Sequence, residues 1–180
     1  NDYLKPFFSR VHPNSKWTLF GLSNDFETAT SIKYMYHDTL LYSHSTSHLV
    51  AVELKFDTDL SRNQILKYAF MMADLENQGK VVTDCAHDLL IISQELKVKQ
   101  KLLSKTNEEL RDMALAQIDD PAREHYPKKP KGREMQEKID RLVPRTTEIL
   151  KQMKIALTDW QELGEHFESL LDGMVKTEHT

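Results

Sequence analysis

An all-α fold is what this sequence predicts: an elongated antiparallel bundle of three long helices, or four if Gly79 breaks the second, packed through coiled-coil-like heptads. Three observations predict it. The 180 residues hold only 5 Gly and 6 Pro, so helix breakers are scarce. Charged residues are 29% and hydrophobic ones 39% of the chain, a balance that suits helices burying one stripe each. Heptad core positions recur at alternating spacings of three and four from Gln64 to Met113, mostly apolar but with Gln64, Gln78, Lys99 and Thr106 among them, as in a coiled-coil seam.

Residues 1–23 stand apart as an irregular aromatic arm. Pro6, Pro13 and Gly21 interrupt Phe7, Phe8, Trp17 and Phe20, and the prolines forbid one long helix. A first helix is expected over about 24–56. Asn24 with Glu27 reads as a capping box, and Ala29, Ile32, Tyr36, Leu40, Val50 and Leu54 supply a stripe.

The second helix is expected over about 61–118, started by Ser61 with Gln64. One heptad position reads Tyr68, Leu75, Val82, Leu89, Leu96, Leu103, Leu110, and its companion includes Met71, Cys85, Ile92 and Met113. Gly79 inside it costs about 1 kcal/mol and marks a kink or a break. Pro121, Pro127, Pro130 and Gly132 then make a loop over 119–133. A third helix follows over about 134–175, with Pro144 kinking it or starting a new one. The bundle as a whole spans 24–176.

The histidines raise the question of chemistry. On a helix His37, His44 and His48 fall within about 40° of one another, and a pair at i, i+4 can chelate a divalent metal. No Asp, Glu or Cys joins that face, so the pattern reads as a polar helix face and no metal is assigned. A metal- or pH-responsive protein is the lesser reading of the same residues. Cys85, at a heptad core position, reads as a small apolar residue. The chain has no G-x-S-x-G and no H-E-x-x-H, and its glycines are isolated. Neither an enzyme nor a bound cofactor is therefore expected.

What remains is a non-enzymatic interaction or scaffold domain whose partner is another protein or a second copy of the chain. The alternative is a membrane-surface module. Lys128, Lys129, Lys131 and Arg133 crowd the loop within 123–133, and each would contribute about 1 kcal/mol at an anionic bilayer. Long helices, a proline-kinked third helix and a basic loop together make an architecture that resembles the BAR-type dimerising bundles, which implies a dimer on an anionic membrane. A net charge of −4 argues against nucleic acid. A lone cysteine suits a reducing, cytoplasmic compartment, and suits equally a secreted piece whose signal peptide has been removed.

Overall fold

The computed structural model describes residues 17–20, 39–55, 64–94, 105–118, 133–165 and 168, the side chains of 17–20 and 133–136 excepted. Its centre is a five-stranded mixed sheet in the order β1-β2-β3-β4-β5. The elements are β1 (Trp17–Phe20), β2 (Thr39–Ser43), β3 (His48–Lys55), α1 (Gln64–Asn77), β4 (Ala86–Ser93), α2 (Asn107–Leu115), α3 (Arg133–Gln152) and β5 (Lys154–Thr158). β1–β2 and β2–β3 are antiparallel pairs, while β3–β4 and β4–β5 are parallel pairs.

β2 and β3 form a hairpin with Ser43 opposite His48. Its turn closes on Ser47, which takes a positive φ of 47°. Hydroxyls stand in for backbone partners there: Thr46 Oγ1 donates to Ser43 Oγ at 2.8 Å, as short polar side chains do in turns. A parallel pair requires a crossover, and α1 provides it between β3 and β4. α2 and α3 lie between β4 and β5.

Side chains alternate across the sheet. Leu49 and Ala51 of β3, Leu89 and Ile91 of β4, and Ile155 and Leu157 of β5 join Leu66, Phe70, Leu110, Ile139 and Ile149 of the helices in one core. Val50, Leu90, Ile92 and Ala156 face the other way and pack with Leu41, Val52, Leu54 and Leu163. Leu163 comes from a helical segment over 160–165. Its first turn is held by Asp159 Oδ1, which accepts from the Glu162 amide at 2.8 Å.

The all-α bundle is overturned by this sheet, and the coiled coil with it. The expected helix 24–56 is, in its described part, the β2–β3 hairpin. Helix 61–118 divides into α1, β4 and α2, and helix 134–175 gives way after Gln152 to β5. The heptad register fails in a telling way. Leu89 and Ile92, three apart, lie on opposite faces of β4, and Val82 is half exposed in the loop before it. A strand buried on both faces is an unbroken apolar run, and such a run satisfies a seven-residue count as well as a two-residue one. The likeness to BAR-type bundles falls with the fold. Pro144 does lie inside a helix, within α3. The arm 1–23 is described only at β1, and most of the loop 119–133, with the cap residues Asn24 and Ser61, lies outside the described residues.

Gly79 breaks the helix. The Lys80 amide donates to the Leu75 carbonyl at 3.0 Å and the Gly79 amide to Glu76 at 2.9 Å, the paired bonds of a Schellman motif. Gly79 takes φ +66°, and a Cβ there would meet nothing within 4 Å. A side chain at this position is therefore penalised by backbone strain alone. Gly79→Ala is expected to destabilise the fold by about 1 kcal/mol, read as a lower urea midpoint at unchanged slope; an unchanged midpoint would refute the left-handed cap.

Candidate functional site

Parallel strands bring the polar ends of the protein together at their C-terminal edge, where ligands of open α/β sheets bind. β3 ends there in Glu53-Leu54-Lys55. Glu53 and Lys55 are two apart on one strand, so both project from the face that α1 covers. Both are buried, Glu53 at 4% and Lys55 at 8% exposure. Lys55 Nζ lies 2.8 Å from Glu53 Oε1.

The first turns of α1 close over the pair. Gln64 Nε2 donates to Glu53 Oε1 and the Tyr68 hydroxyl to Glu53 Oε2. Lys67 Nζ stands 3.9 Å from Oε2 and 4.6 Å from the centre of the Tyr68 ring, within cation–π range. The α1 first turn carries no acidic residue of its own, and its first residue, Gln64, bonds Glu53, so the carboxylate lies beside the partly positive end of the helix. Ser93, the β4 partner of Lys55, is buried beside it.

One carboxylate thus gathers two ammonium groups, an amide and a phenol. Burying an ion pair is an expensive way to stabilise a strand end; apolar residues of similar volume serve as well or better. Chemically, the carboxylate suits a hard divalent cation, and an ammonium beside it suits an anionic oxygen. A cation and a fixed positive charge side by side are the parts that metal-assisted phosphoester chemistry requires.

Two further polar groups sit toward the other end of the strands. On the sheet face opposite the helices, His48 Nε2 and Asp88 Oδ2 lie 3.0 Å apart, both buried. On the helix face, Glu76 of α1 meets His87 Nε2 at 2.8 Å and Cys85 Sγ at 3.6 Å. Arg145 of α3 grips the same carboxylate, with Nε 2.5 Å from Oε2 and Nη2 3.0 Å from Oε1. It also donates to the Thr83 carbonyl and reaches Glu148 at 2.8 Å. Burial pulls the Glu76 pKa up, but the hydrogen bonds and charges of His87 and Arg145 outweigh it and hold the group below its ordinary value. The Arg145 guanidinium is correspondingly raised. The Cys85 thiol is pushed up to about 12, first by burial and then by the negative charge of Glu76.

His44 and His48 do not share a helix face. His44 is exposed in the hairpin turn and His48 is buried at the start of β3; a spacing of four that aligns two side chains on a helix separates them across a turn. His44 packs edge-on to Tyr42 at 4.9 Å. His37, Lys128, Lys129 and Lys131 lie outside the described residues, and Arg133 is the first residue of α3. The residues that do converge, Glu53, Lys55, Gln64 and Tyr68, carried one sequence signal: a Glu-x-Lys of period two closing the apolar run "HLVAV", where charge is least expected. Among the described residues, no helix is long and apolar enough to cross a membrane.

Comparison with protein-family models, with curated proteins and with solved structures finds no match. The class is therefore defined by geometry alone: a mixed α/β domain with a buried charged cluster at the C-terminal ends of its parallel strands.

The lowered Glu76 pKa fixes a pH dependence. A carboxyl depressed in the folded state stabilises it fully above the unfolded value, ordinarily 4.5, and that contribution is lost as pH falls through the folded value. Glu76→Gln is expected to be less stable than the native chain at neutral pH and to approach it as the pH is taken below that window. Unfolding free energies measured by urea titration across the acid range would show the two curves converging; parallel curves would refute the assignment.

Proposed function

We propose that the domain engages a phosphodiester, that of a nucleic-acid backbone, through a divalent cation at Glu53, and hydrolyses it. The observation that carries this reading is the buried Glu53–Lys55 pair on one strand at the C-terminal edge of the parallel sheet. A bound divalent cation would polarise the phosphate and lower the pKa of a coordinated water. The chain's own part follows from position. Glu53 supplies the cation's carboxylate ligand. Gln64 and Tyr68 fix that carboxylate by donating to both its oxygens. Lys55, paired with Glu53 at 2.8 Å, would turn its ammonium to a non-bridging phosphate oxygen if a cation held the carboxylate. Lys67 adds positive charge on the outer side.

The reaction balances simply: the water oxygen bonds to phosphorus, the bond to one ester oxygen breaks, and that oxygen leaves with a proton. A phosphodiester and water become a phosphomonoester and an alcohol. The overall charge of −4 does not oppose this, because the charge that meets the backbone is local and supplied by the cation and two lysines. The interaction and scaffold reading drew on an exposed heptad surface, which the fold does not provide, and on the aromatic arm 1–23, which is described only at β1.

Two variants separate binding from chemistry. Calcium supports coordination without fast turnover, so anisotropy of a labelled short duplex is read in calcium and in chelator. Binding should be calcium-dependent and weakened at least about tenfold by Glu53→Gln. In magnesium or manganese the native chain should cut the duplex, and Lys55→Ala should slow cutting by about 100- to 1,000-fold with binding largely kept. Duplex affinity indifferent to calcium and to Glu53→Gln would refute the reading and leave Glu53 as the hub of a structural network.

A further inference from the structure

We propose that Glu76, Cys85 and His87 form a second site, for a thiophilic transition metal of the zinc class, separate from the hard-cation site at Glu53. The three ligand atoms lie within 4.8 Å of one another and all three residues are buried. Glu76 closes α1, Cys85 ends the loop that returns from it, and His87 is in β4. Cys85 and His87 are two apart and share the helix-side face, so the pair converges on Glu76 without a special loop. Elements that hold ligands this firmly favour one coordination geometry.

Donor counting points the same way. Glu76 Oε1 has His87 Nε2 at 2.8 Å, Arg145 Nη2 at 3.0 Å and Cys85 Sγ at 3.6 Å, with Cys85 Sγ and His87 Nε2 3.3 Å apart. A carboxylate oxygen offers two lone pairs, so three donors on it are one too many. A metal removes two of them at once. Its binding expels the thiol proton and leaves the imidazole proton on Nδ1, so Sγ, Nε2 and Oε1 all become ligands and Arg145 stays on Glu76 as an outer partner. The two separations from sulfur, 3.3 and 3.6 Å, are close to the edge of about 3.5 Å in a tetrahedron drawn with zinc–sulfur and zinc–nitrogen bonds of about 2.3 and 2.0 Å, and the 2.8 Å between His87 and Glu76 opens by about 0.5 Å when the metal replaces their hydrogen bond. A water completes the four.

Charge also closes. With a divalent ion, the Cys85 thiolate and the Glu76 carboxylate sum to zero, and Arg145 is balanced by Glu148. Ligand softness separates the two sites: thiolate and imidazole select zinc or cobalt, while the Glu53 carboxylate suits magnesium, manganese or calcium.

Cobalt and zinc test this on the whole chain. Cobalt added to the native protein should give a thiolate-to-metal charge-transfer band at one ion per chain, and zinc should displace it with release of a proton measurable in weak buffer. Cys85→Ser should abolish the band, and His87→Gln should weaken zinc by at least about tenfold. His44→Ala, in the exposed turn, should change nothing. Circular dichroism of each variant shows whether it is folded. A native chain that gives no thiolate band, or a band that His44→Ala removes, would overturn the proposal and leave Glu76, Cys85, His87 and Arg145 as a buried hydrogen-bond network.

Discussion

Pairing β3 in parallel with β4 is the constraint from which the rest of the molecule follows. Two parallel neighbours cannot be joined by a tight turn, so the chain must cross over the sheet. Here it crosses as α1, which is buried along nearly its whole length: Ile65, Leu66, Tyr68 to Leu75 and Glu76 are all inside. α3 packs on α1, and α2 touches both. The helical layer is thus assembled on the crossover, and both polar clusters on the helix face take one half from the crossover and the other from the strands it connects.

Burial of charge follows a consistent rule in this core. Glu53, Asp74, Glu76 and Asp88 are all enclosed, and each has a cationic or imidazole partner: Lys55, Lys138, Arg145 and His48 respectively. An isolated carboxylate would cost far more than the fold can spare. The partners of Glu53 and Glu76 go beyond neutralisation. Each of these two carboxylates collects several donors, from α1, α3 and the strands, around one buried charge.

The helical part of the chain was legible where local chemistry decides. Gly79 stood out as a kink or a break, and it is a break, because a left-handed residue ends α1 there. The apolar spacing within α1 is genuine helix spacing. Beyond Gly79 the same count continued into β4, whose run "LLII" fits any period and so carried no information about its own. "HLVAVELK" was misread for a related reason: Leu49, Val50, Ala51 and Val52 are apolar on both faces because both faces of the sheet are covered. The decisive datum, which strand lies beside which, is long-range and leaves no trace in a local window. The candidate site shared that fate. On the expected helix 24–56, two residues two apart such as Glu53 and Lys55 point to nearly opposite sides; strand geometry puts them on one buried face with Gln64 and Tyr68.

A single helix that serves two clusters also limits what insertions the protein can accept. Gln64 and Glu76 lie on α1 about 18 Å apart along its axis. Adding one residue between them would turn Glu76 by about 100° relative to Gln64 and carry it away from His87, Cys85 and Arg145. The length of α1 is therefore as constrained as its composition. The hairpin turn 44–47 holds exposed residues, His44 to Thr46, and carries no such cluster. Changes in chain length are accommodated there, so a tag or a probe is best accepted between β2 and β3.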